Sequence, residues 1–242
     1  MPPMQMTCEN DSGILNISIY QKKNMPVPKQ IFQTFITKKL PLITRYHIWN
    51  MKRKNPEYKY YFYDDQDIEN FLEEEFPPQY IETYRKLRIG AAKADFFRYA
   101  VLYKKGGVYL DVDSSIIKPF KKLIKDNDEA VISVERHENL YAQWALIFNK
   151  NHPFLKKTLE LMMDNINSHR YPHDIHSTTG PTVFSNGIRQ SLEENPTIPF
   201  TLFDGIEFRG YLKFKYKLGK FFLYKTRSKH WKQMQKHEEI IF

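Results

Sequence analysis

Hydrophobic and polar positions follow two different periods along the chain, and the two periods alternate. Runs rich in β-branched and aromatic residues predict strands over residues 29–35, 58–63, 108–111, 130–135 and 142–148. Apolar residues spaced for one helical face predict helices over residues 42–54, 80–87, 91–103 and 153–166. Asp64 and Asp65 offer capping oxygens for one more helix that includes Leu72. Strands and helices in alternation predict an α/β fold with a single, mostly parallel sheet flanked by helices.

The most specific chemistry lies in residues 94–120, which read ADFFRYAVLYKKGGVYLDVDSSIIKPF. A helical pattern ends at Gly106-Gly107, and the apolar strand that follows ends in Asp111-Val112-Asp113. Because side chains repeat with period two along a strand, Asp111 and Asp113 are expected on the same face. A carboxylate pair at the end of a buried strand is costly, and a cation relieves that cost. Such oxygen ligands suit Mg²⁺ or Mn²⁺, which often also hold substrate phosphates. The pattern therefore indicates an enzyme that acts on a phosphorylated, nucleotide-activated substrate.

Asp95 and Arg98 lie three residues apart on the preceding helix and so share a face. Two interpretations stay open for them. They form either a surface ion pair worth a fraction of a kcal/mol, or a functional pair near the strand end. In the second case Asp95 would accept hydroxyls of a sugar and Arg98 would neutralise phosphate.

Three other groups resemble sites, but their context favours structural roles. Residues 65–67 and 126–128 repeat the Asp-x-Asp spacing among polar residues, where caps and turns are expected. His169, His173 and His176 have metal-like spacing, but Tyr171-Pro172 breaks the helix that would align them.

P-loop, GxGxxG, GxSxG and HExxH patterns do not occur in the sequence, which counts against kinases, dinucleotide dehydrogenases, α/β-hydrolases and zincins.

Composition limits the class of protein without naming its chemistry. The chain has 242 residues with 41% hydrophobic content, which favours one domain over residues 25–242 after a flexible leader at 1–24. The only cysteine, Cys8, cannot form an internal disulfide. No apolar run reaches about 18 residues and no signal-peptide pattern occurs, so we expect a cytoplasmic protein without a transmembrane helix.

The formal net charge of +9 favours anionic partners or serves solubility alone. Residues 208–236 interleave aromatic and basic side chains. This C-terminal segment predicts either a β-ribbon with a basic wet face or a lobe that contacts an acceptor or the surface of a membrane.

Several ordered motifs together resemble one family. The run RIGAAKADFFRYAVLYKKGGVYLDVDSSIIKPF at residues 88–120 closely resembles the DXD block of glycosyltransferases with a GT-A fold. Specifically, it is similar to family 32, which includes initiating α-1,6-mannosyltransferases, inositol-phosphoceramide mannosyltransferases and capsular-polysaccharide transferases. VPKQIFQTF at 27–35, NKNHPFLKKTL at 149–159 and STTGP at 177–181 are similar to further family segments. The chain departs from the pattern at Phe32 and Phe35, and after His230-Trp231, where the family's Gly-Ser-Trp segment is replaced by Lys-Gln-Met-Gln.

The resemblance implies roles for individual residues. Asp113 would bind Mn²⁺ (or Mg²⁺) directly, and Asp111 would hold the metal through water or contact the ribose. Asp95 and Arg98 would bind the donor sugar, and His230 would reach the metal or the diphosphate. Residues around the opening strand and the TGP turn would border the donor, namely Ile31, Gln33, Thr34 and Gly180. Asp111, Asp113 and Arg98 are thus the expected catalytic residues.

The function that we expect is metal-dependent transfer of a hexose from a nucleotide-diphosphate sugar. The acceptor would be a glycan, a glycolipid or a protein-linked hydroxyl, with contact to a membrane surface as a further expectation. The resemblance implies retention of anomeric configuration, with front-face attack because no carboxylate nucleophile is evident. Two alternatives use the same features: a basic nucleic-acid-binding protein, which leaves the carboxylates unexplained, and a metal-dependent phosphohydrolase or nuclease.

Overall fold

A computed structural model describes residues 26–135, 140–216, 223 and 239–242. The strands are β1 (Gln30–Thr34), β2 (Lys59–Tyr63), β3 (Gly107–Leu110), β4 (Ser115–Ile116), β5 (Ala130–Glu135), β6 (Leu140–Tyr141), β7 (Ala145–Phe148), β8 (Thr201–Asp204) and β9 (Leu212–Lys213). The helices are α1 (Leu42–Lys54), α2 (Asp65–Glu75), α3 (Pro78–Arg85), α4 (Gly90–Lys105), α5 (Pro153–Asn167), α6 (Ile175–Thr178) and α7 (Pro181–Glu194). The predicted alternation of strands and helices is confirmed.

The main sheet has seven strands in the order β2-β1-β3-β7-β5-β6, with β8 beside β5. Strand β1 is parallel to β2 and β3, and β8 is parallel to β5. Strand β7 runs antiparallel to both β3 and β5, and β6 is antiparallel to β5. A separate two-stranded antiparallel sheet, β4 with β9, adds to the one sheet that the sequence predicts.

Alternate residues of each central strand enter two different hydrophobic clusters, which shows that both faces of the sheet are covered. On β3, Tyr109 packs in the cluster that holds the buried faces of α4, α5 and α7, whereas Val108 and Leu110 pack with Met51 of α1. Strands buried on both faces read as nearly continuous apolar runs, as GVYL and ALIF do here.

The turn between α4 and β3 depends on Gly106 and Gly107. Both have positive φ angles, 63° and 111°, which favour glycine. A Cβ atom on Gly107 would lie 2.7 Å from the carbonyl oxygen of Gln30, so only glycine lets β3 pack this closely against β1. The helix thereby ends beside the strand that leads to Asp111.

Several predicted boundaries are wrong. The strand predicted at 108–111 ends at Leu110, and the run at 142–148 is interrupted, with β6 before it and β7 starting at Ala145. Helices α6 and α7 follow residues for which the sequence had indicated only a turn. Of the predicted C-terminal ribbon, the described residues form only β9 and a short 3₁₀ turn at Phe208–Gly210. The leader at 1–24 lies outside the described residues. No helix within the described part of the chain has the length and apolar character to cross a bilayer.

Candidate active site

Helix α4 is almost entirely buried, and it carries two charged residues into the interior. The Arg98 guanidinium lies 3.1 Å from Asp95 and 3.0 Å from Asp111, in each case from Nη2 to Oδ1. The Arg98 side chain is only 6% exposed. The alternative of a surface ion pair is therefore wrong for Asp95 and Arg98. The pair lies where α4 passes the end of β3, as a functional pair requires.

The protein around Arg98 uses most of its remaining hydrogen-bonding capacity. Nη1 donates to the carbonyl of Gln143 at 2.8 Å, and Nε donates to the carbonyl of Ala94 at 3.4 Å. The guanidinium also lies over the ring of Tyr109, 4.8 Å from its centroid. Burial is the largest single effect on Arg98 and opposes its charged form, but Asp111, Tyr109 and Asp95 together outweigh it, and the pKa of Arg98 is raised. Arg98 therefore stays charged and fixes the positions of two carboxylates.

Asp95 is held by neutral groups as well as by Arg98. Its Oδ1 accepts a hydrogen bond from Gln143 Nε2 at 3.0 Å, and its Oδ2 accepts one from Thr179 Oγ1 at 3.1 Å. Burial raises the pKa of Asp95 to about 7, with Arg98 opposing the shift. The sequence analysis missed Gln143 and Thr179. Thr179 immediately precedes the predicted Gly180, but no spacing pattern connects Gln143 to α4.

The Asp111-Val112-Asp113 segment is a turn that follows β3 and not part of the strand. The amide of Ser114 donates to the carbonyl of Asp111 at 3.0 Å, and Ser114 Oγ donates to the same oxygen at 2.6 Å. Gln33 Nε2 also donates to this carbonyl, at 3.2 Å. The argument that period-two alternation places Asp111 and Asp113 on one face is therefore wrong. A network around the Asp111 carbonyl, and not strand pleating, positions the two carboxylates.

Tyr216 fastens the Asp113 end of this turn. Its amide donates to the Asp113 carbonyl at 3.0 Å, and its hydroxyl lies 2.6 Å from Thr44 Oγ1 on α1. The ring of His47, one turn further along α1, stacks on Tyr216 with 4.0 Å between centroids. Asp113 itself is 5% exposed. The turn is thus held between α1 and a residue from the C-terminal part of the chain. No sequence pattern marks Tyr216.

A narrow cleft lies beside the turn, and it is too tight in this structure to admit a water molecule. It is lined by Gln33, His47, Ile48, Met51, Leu110, Val112, Ser114, Ser115 and Ile116. Burial lowers the pKa of His47, and its Nδ1 atom is buried without a hydrogen-bond partner in the structure. The cleft therefore offers a neutral imidazole and the amide of Gln33 beside the Asp111–Asp113 turn.

The other predicted donor-binding residues have different surroundings. Gln33 contacts the turn directly, whereas Ile31 is fully buried in the core beneath it. Thr34 donates to the carbonyl of Tyr63 at 2.8 Å and so joins β1 to β2. Gly180 precedes α7, and a Cβ there would lie 2.8 Å from the Cα of His176. Gly180 is required for packing and brings its neighbour Thr179 to Asp95. His230 lies outside the described residues.

The donor set suits a divalent cation that substrate phosphates help to hold. Among the described residues, no group of three or more His, Cys, Asp and Glu side chains is arranged to bind a metal. Mg²⁺-type sites commonly use one or two carboxylates and complete the shell with water and phosphate oxygens. Asp113 and Asp111 meet that requirement, although Asp111 also accepts a hydrogen bond from Tyr109 at 3.3 Å and pairs with Arg98.

The competing Asp-x-Asp pairs have the structural roles that the sequence predicts. Asp67 forms a capping box with Asp64 at the start of α2. Asp128 accepts from the amide of Lys125 at 2.7 Å and from Thr201 Oγ1 at 2.7 Å, which closes a turn before β5. Of the three histidines with metal-like spacing, His169 lies 3.4 Å from Glu239, and this contact is exposed on the surface.

Comparison with known proteins agrees with this geometry. The family model described as "Glycosyltransferase sugar-binding region containing DXD motif" matches residues 43–130, which include α4 and the Asp111–Asp113 turn. An initiation-specific α-1,6-mannosyltransferase of Candida albicans is 25% identical over 69% of this chain and 53% of its own length. An uncharacterized glycosyltransferase of Acanthamoeba polyphaga mimivirus is 29% identical over 74% of this chain and 71% of its own. The chain thus spans about half the length of the yeast relative.

Among solved structures, the PaToxG glycosyltransferase superposes with a TM-score of 0.56 at 22% identity. The match covers 71% of this chain and 70% of that one, and it confirms the predicted fold. The sequence region, the relatives and the fold agree with one another. The chain is therefore a homologue of the DXD-containing glycosyltransferases, built on a GT-A fold and similar to family 32.

Proposed function

We propose that this protein is a metal-dependent glycosyltransferase that moves a hexose from a nucleotide-diphosphate sugar to a hydroxyl acceptor. The observation that carries the proposal is the Asp111–Asp113 turn held against the buried Asp95–Arg98 pair. A surface turn of this composition would leave its carboxylates in water. Here the fold spends a buried arginine and several hydrogen bonds on fixing them beside a cleft.

Asp113 would bind Mn²⁺ or Mg²⁺ together with the donor diphosphate, and Asp111 would act at the edge of that site. A bound cation offsets the negative charge that grows on the leaving nucleoside diphosphate. Arg98 faces Asp111 at 3.0 Å and keeps that carboxylate in place. His230 remains a further predicted metal or diphosphate ligand.

Asp95 is the proposed acceptor of hydrogen bonds from sugar hydroxyls, and Gln143 and Thr179 hold its two oxygens. Retention of anomeric configuration follows from the family resemblance. Asp95 and Asp111 are already paired with Arg98, and Asp113 is the proposed metal ligand. Front-face attack by the acceptor hydroxyl fits this arrangement better than a covalent intermediate.

The acceptor class that we propose is a glycan, a glycolipid or a protein-linked hydroxyl. The mannosyltransferase relative of Candida albicans supports a hexose donor. Because the match covers only 53% of that relative, the identity of the hexose is left open. A panel of UDP- and GDP-hexoses with Mn²⁺, assayed for release of nucleoside diphosphate, tests the proposal.

We expect release from one donor, abolished by EDTA and lost by at least about a hundredfold in Asp113→Ala. The matched control is Asp126→Ala, which alters another Asp-x-Asp pair and should leave turnover unchanged. Release of inorganic phosphate or of cleaved nucleic acid in place of a glycoside would contradict the proposal and favour the hydrolase alternative. An inverted product anomer by NMR would contradict retention alone.

A further inference from the structure

The outer face of α1 has a composition opposite to that of an ordinary solvent-facing helix. Leu42, Tyr46, Trp49 and Arg53 are spaced by four, three and four residues, so they form one stripe along the helix. Leu42 is 79% exposed, and Tyr46 and Trp49 are each 55% exposed. Ile36, in the loop before the helix, is 69% exposed. Ile36, Leu42, Tyr46 and Trp49 are thus four large apolar side chains that the described part of the chain leaves exposed.

The charged residues of the segment that carries this stripe are all basic. Residues 36–54 contain six lysines and arginines and neither Asp nor Glu. Arg45, Lys52 and Arg53 are exposed on the helix itself, and the Arg53 guanidinium lies 5.3 Å from the Trp49 ring centroid. Lys38 differs from these cations because it forms an ion pair with Asp67 at 2.7 Å. The stripe is therefore an apolar and aromatic centre with a cationic border.

The opposite face of α1 belongs to the candidate active site. His47, Ile48 and Met51 line the cleft, and Thr44 contacts Tyr216. The helix is one layer thick between the cleft and the stripe, about 10–12 Å with its side chains. A body bound on the stripe would be separated from the cleft by the thickness of α1.

We propose that the α1 stripe rests on an anionic lipid surface, with Leu42, Ile36 and Trp49 at the headgroup–acyl boundary. Helices that lie in a membrane interface combine Trp and Leu on one side with Lys and Arg at its border. Neighbouring cations are attracted to the negative potential of acidic lipids. The chain segments outside the described ranges offer no charge complement to the stripe, and the shortest of them, residues 136–139, has one arginine and one glutamate. Residues 217–238 carry seven lysines and arginines and one acidic residue, and residues 1–25 carry two lysines and two acids.

The aliphatic side chains distinguish a lipid surface from a nucleic acid. Single-stranded nucleic acid would use Tyr46 and Trp49 for stacking and the cations for phosphate contacts. It offers nothing to Leu42 and Ile36, which are the two most exposed members of the group. Acyl chains accommodate all four. The proposed lipid contact does not depend on the transferase proposal, since the residues of the stripe face away from the cleft.

The test is flotation of the full-length protein with vesicles of phosphatidylcholine, with or without phosphatidylserine. We expect binding to the anionic vesicles that weakens with salt, and little binding to phosphatidylcholine alone. Leu42→Ser/Trp49→Ser should lower the vesicle affinity by about tenfold or more. The matched control is Leu202→Ser/Tyr171→Ser, which removes two other exposed apolar side chains, 46% and 39% exposed, and should bind as the wild type does.

Tryptophan emission supplies a second readout. Emission should shift to shorter wavelength when the wild type binds anionic vesicles, and the shift should be much smaller in Trp49→Phe. Asp113→Ala should bind vesicles normally, so loss of catalysis and loss of binding are separable. The proposal is overturned if the stripe and control variants bind alike, or if phosphatidylserine has no effect. It is also overturned if the stripe variant instead abolishes a dimer in sedimentation or the binding of single-stranded DNA.

Discussion

Helices α1 and α4 differ in the kinds of side chain that they bury and expose. Helix α4 is buried on nearly all sides and carries Asp95 and Arg98 inside, whereas α1 leaves Leu42, Tyr46 and Trp49 outside. Both arrangements cost free energy, because charges lose water in the first and apolar surface meets water in the second. In α4 the cost is offset within the chain, by ion pairs and hydrogen bonds. In α1 the described residues contain no such compensation, which directs attention to a partner.

The largest effect on stability is expected when the buried cation of α4 is removed. Arg98→Met should destabilise the protein by about 3–5 kcal/mol, because it leaves the buried Asp95 and the partly buried Asp111 without a cation. Urea unfolding measures the change. Arg85→Met is the matched control, since Arg85 pairs with Glu69 and Glu73 on the exposed surface and should matter little. Equal losses in the two variants would contradict a buried role for Arg98.

A smaller effect should appear in the pH dependence of stability. The folded-state pKa of Asp95 is raised to about 7 by burial, whereas an unfolded Asp titrates near 4. Its contribution is therefore complete below pH 4 and is lost as the pH rises to about 7. Asp95→Asn mimics the protonated form at every pH, so the variant should gain in melting temperature relative to the wild type between pH 4 and pH 7.

Thermal unfolding of both proteins across that range measures the difference. Asp164→Asn is a suitable control, because Asp164 is 57% exposed and pairs with Arg170 at the surface. A difference between wild type and Asp95→Asn that stays constant with pH would show that the Asp95 carboxylate is not shifted upward.

The smallest effect is expected on the outer face of α1. Leu42→Ser/Trp49→Ser should change the free energy of unfolding by no more than about 0.5 kcal/mol in the absence of lipid. Phe97→Ala on the fully buried face of α4 should cost about 3–5 kcal/mol in the same assay. A large loss in the α1 variant would mean that the stripe is covered within the folded chain, which would remove the reason for seeking a partner.

The sequence predicted α1 well and its orientation poorly. Residues 42–54 were predicted as a helix, and the structure has Leu42–Lys54. The periodicity that identified the helix included Tyr46 and Trp49, yet both face outward while Thr44 and Met51 are buried. Periodicity reports that a helix has two kinds of face. Which face is inside depends on what packs against it, and that information lies in distant parts of the chain.

The candidate site was predicted through its local members only. Asp95, Arg98, Asp111 and Asp113 fall within one run of 19 residues, so spacing and resemblance were sufficient to find them. Gln143, Thr179 and Tyr216 reach the same place from three other parts of the fold. Thr179 lies within the STTGP segment, whereas no motif marks Gln143 or Tyr216. The contacts that these residues make with the site follow from the fold.

The Thr44–Tyr216 contact has a consequence for the order in which the molecule forms. The two residues are 172 positions apart, and this contact fixes the residue that holds the Asp113 carbonyl. Closing so long a segment costs more chain entropy than pairing β1 with β2, which requires fewer than 30 residues. The central sheet can therefore exist before the Asp111–Asp113 turn is anchored. A state of the chain in which Thr44 and Tyr216 are still apart would have most of its secondary structure and no fixed turn.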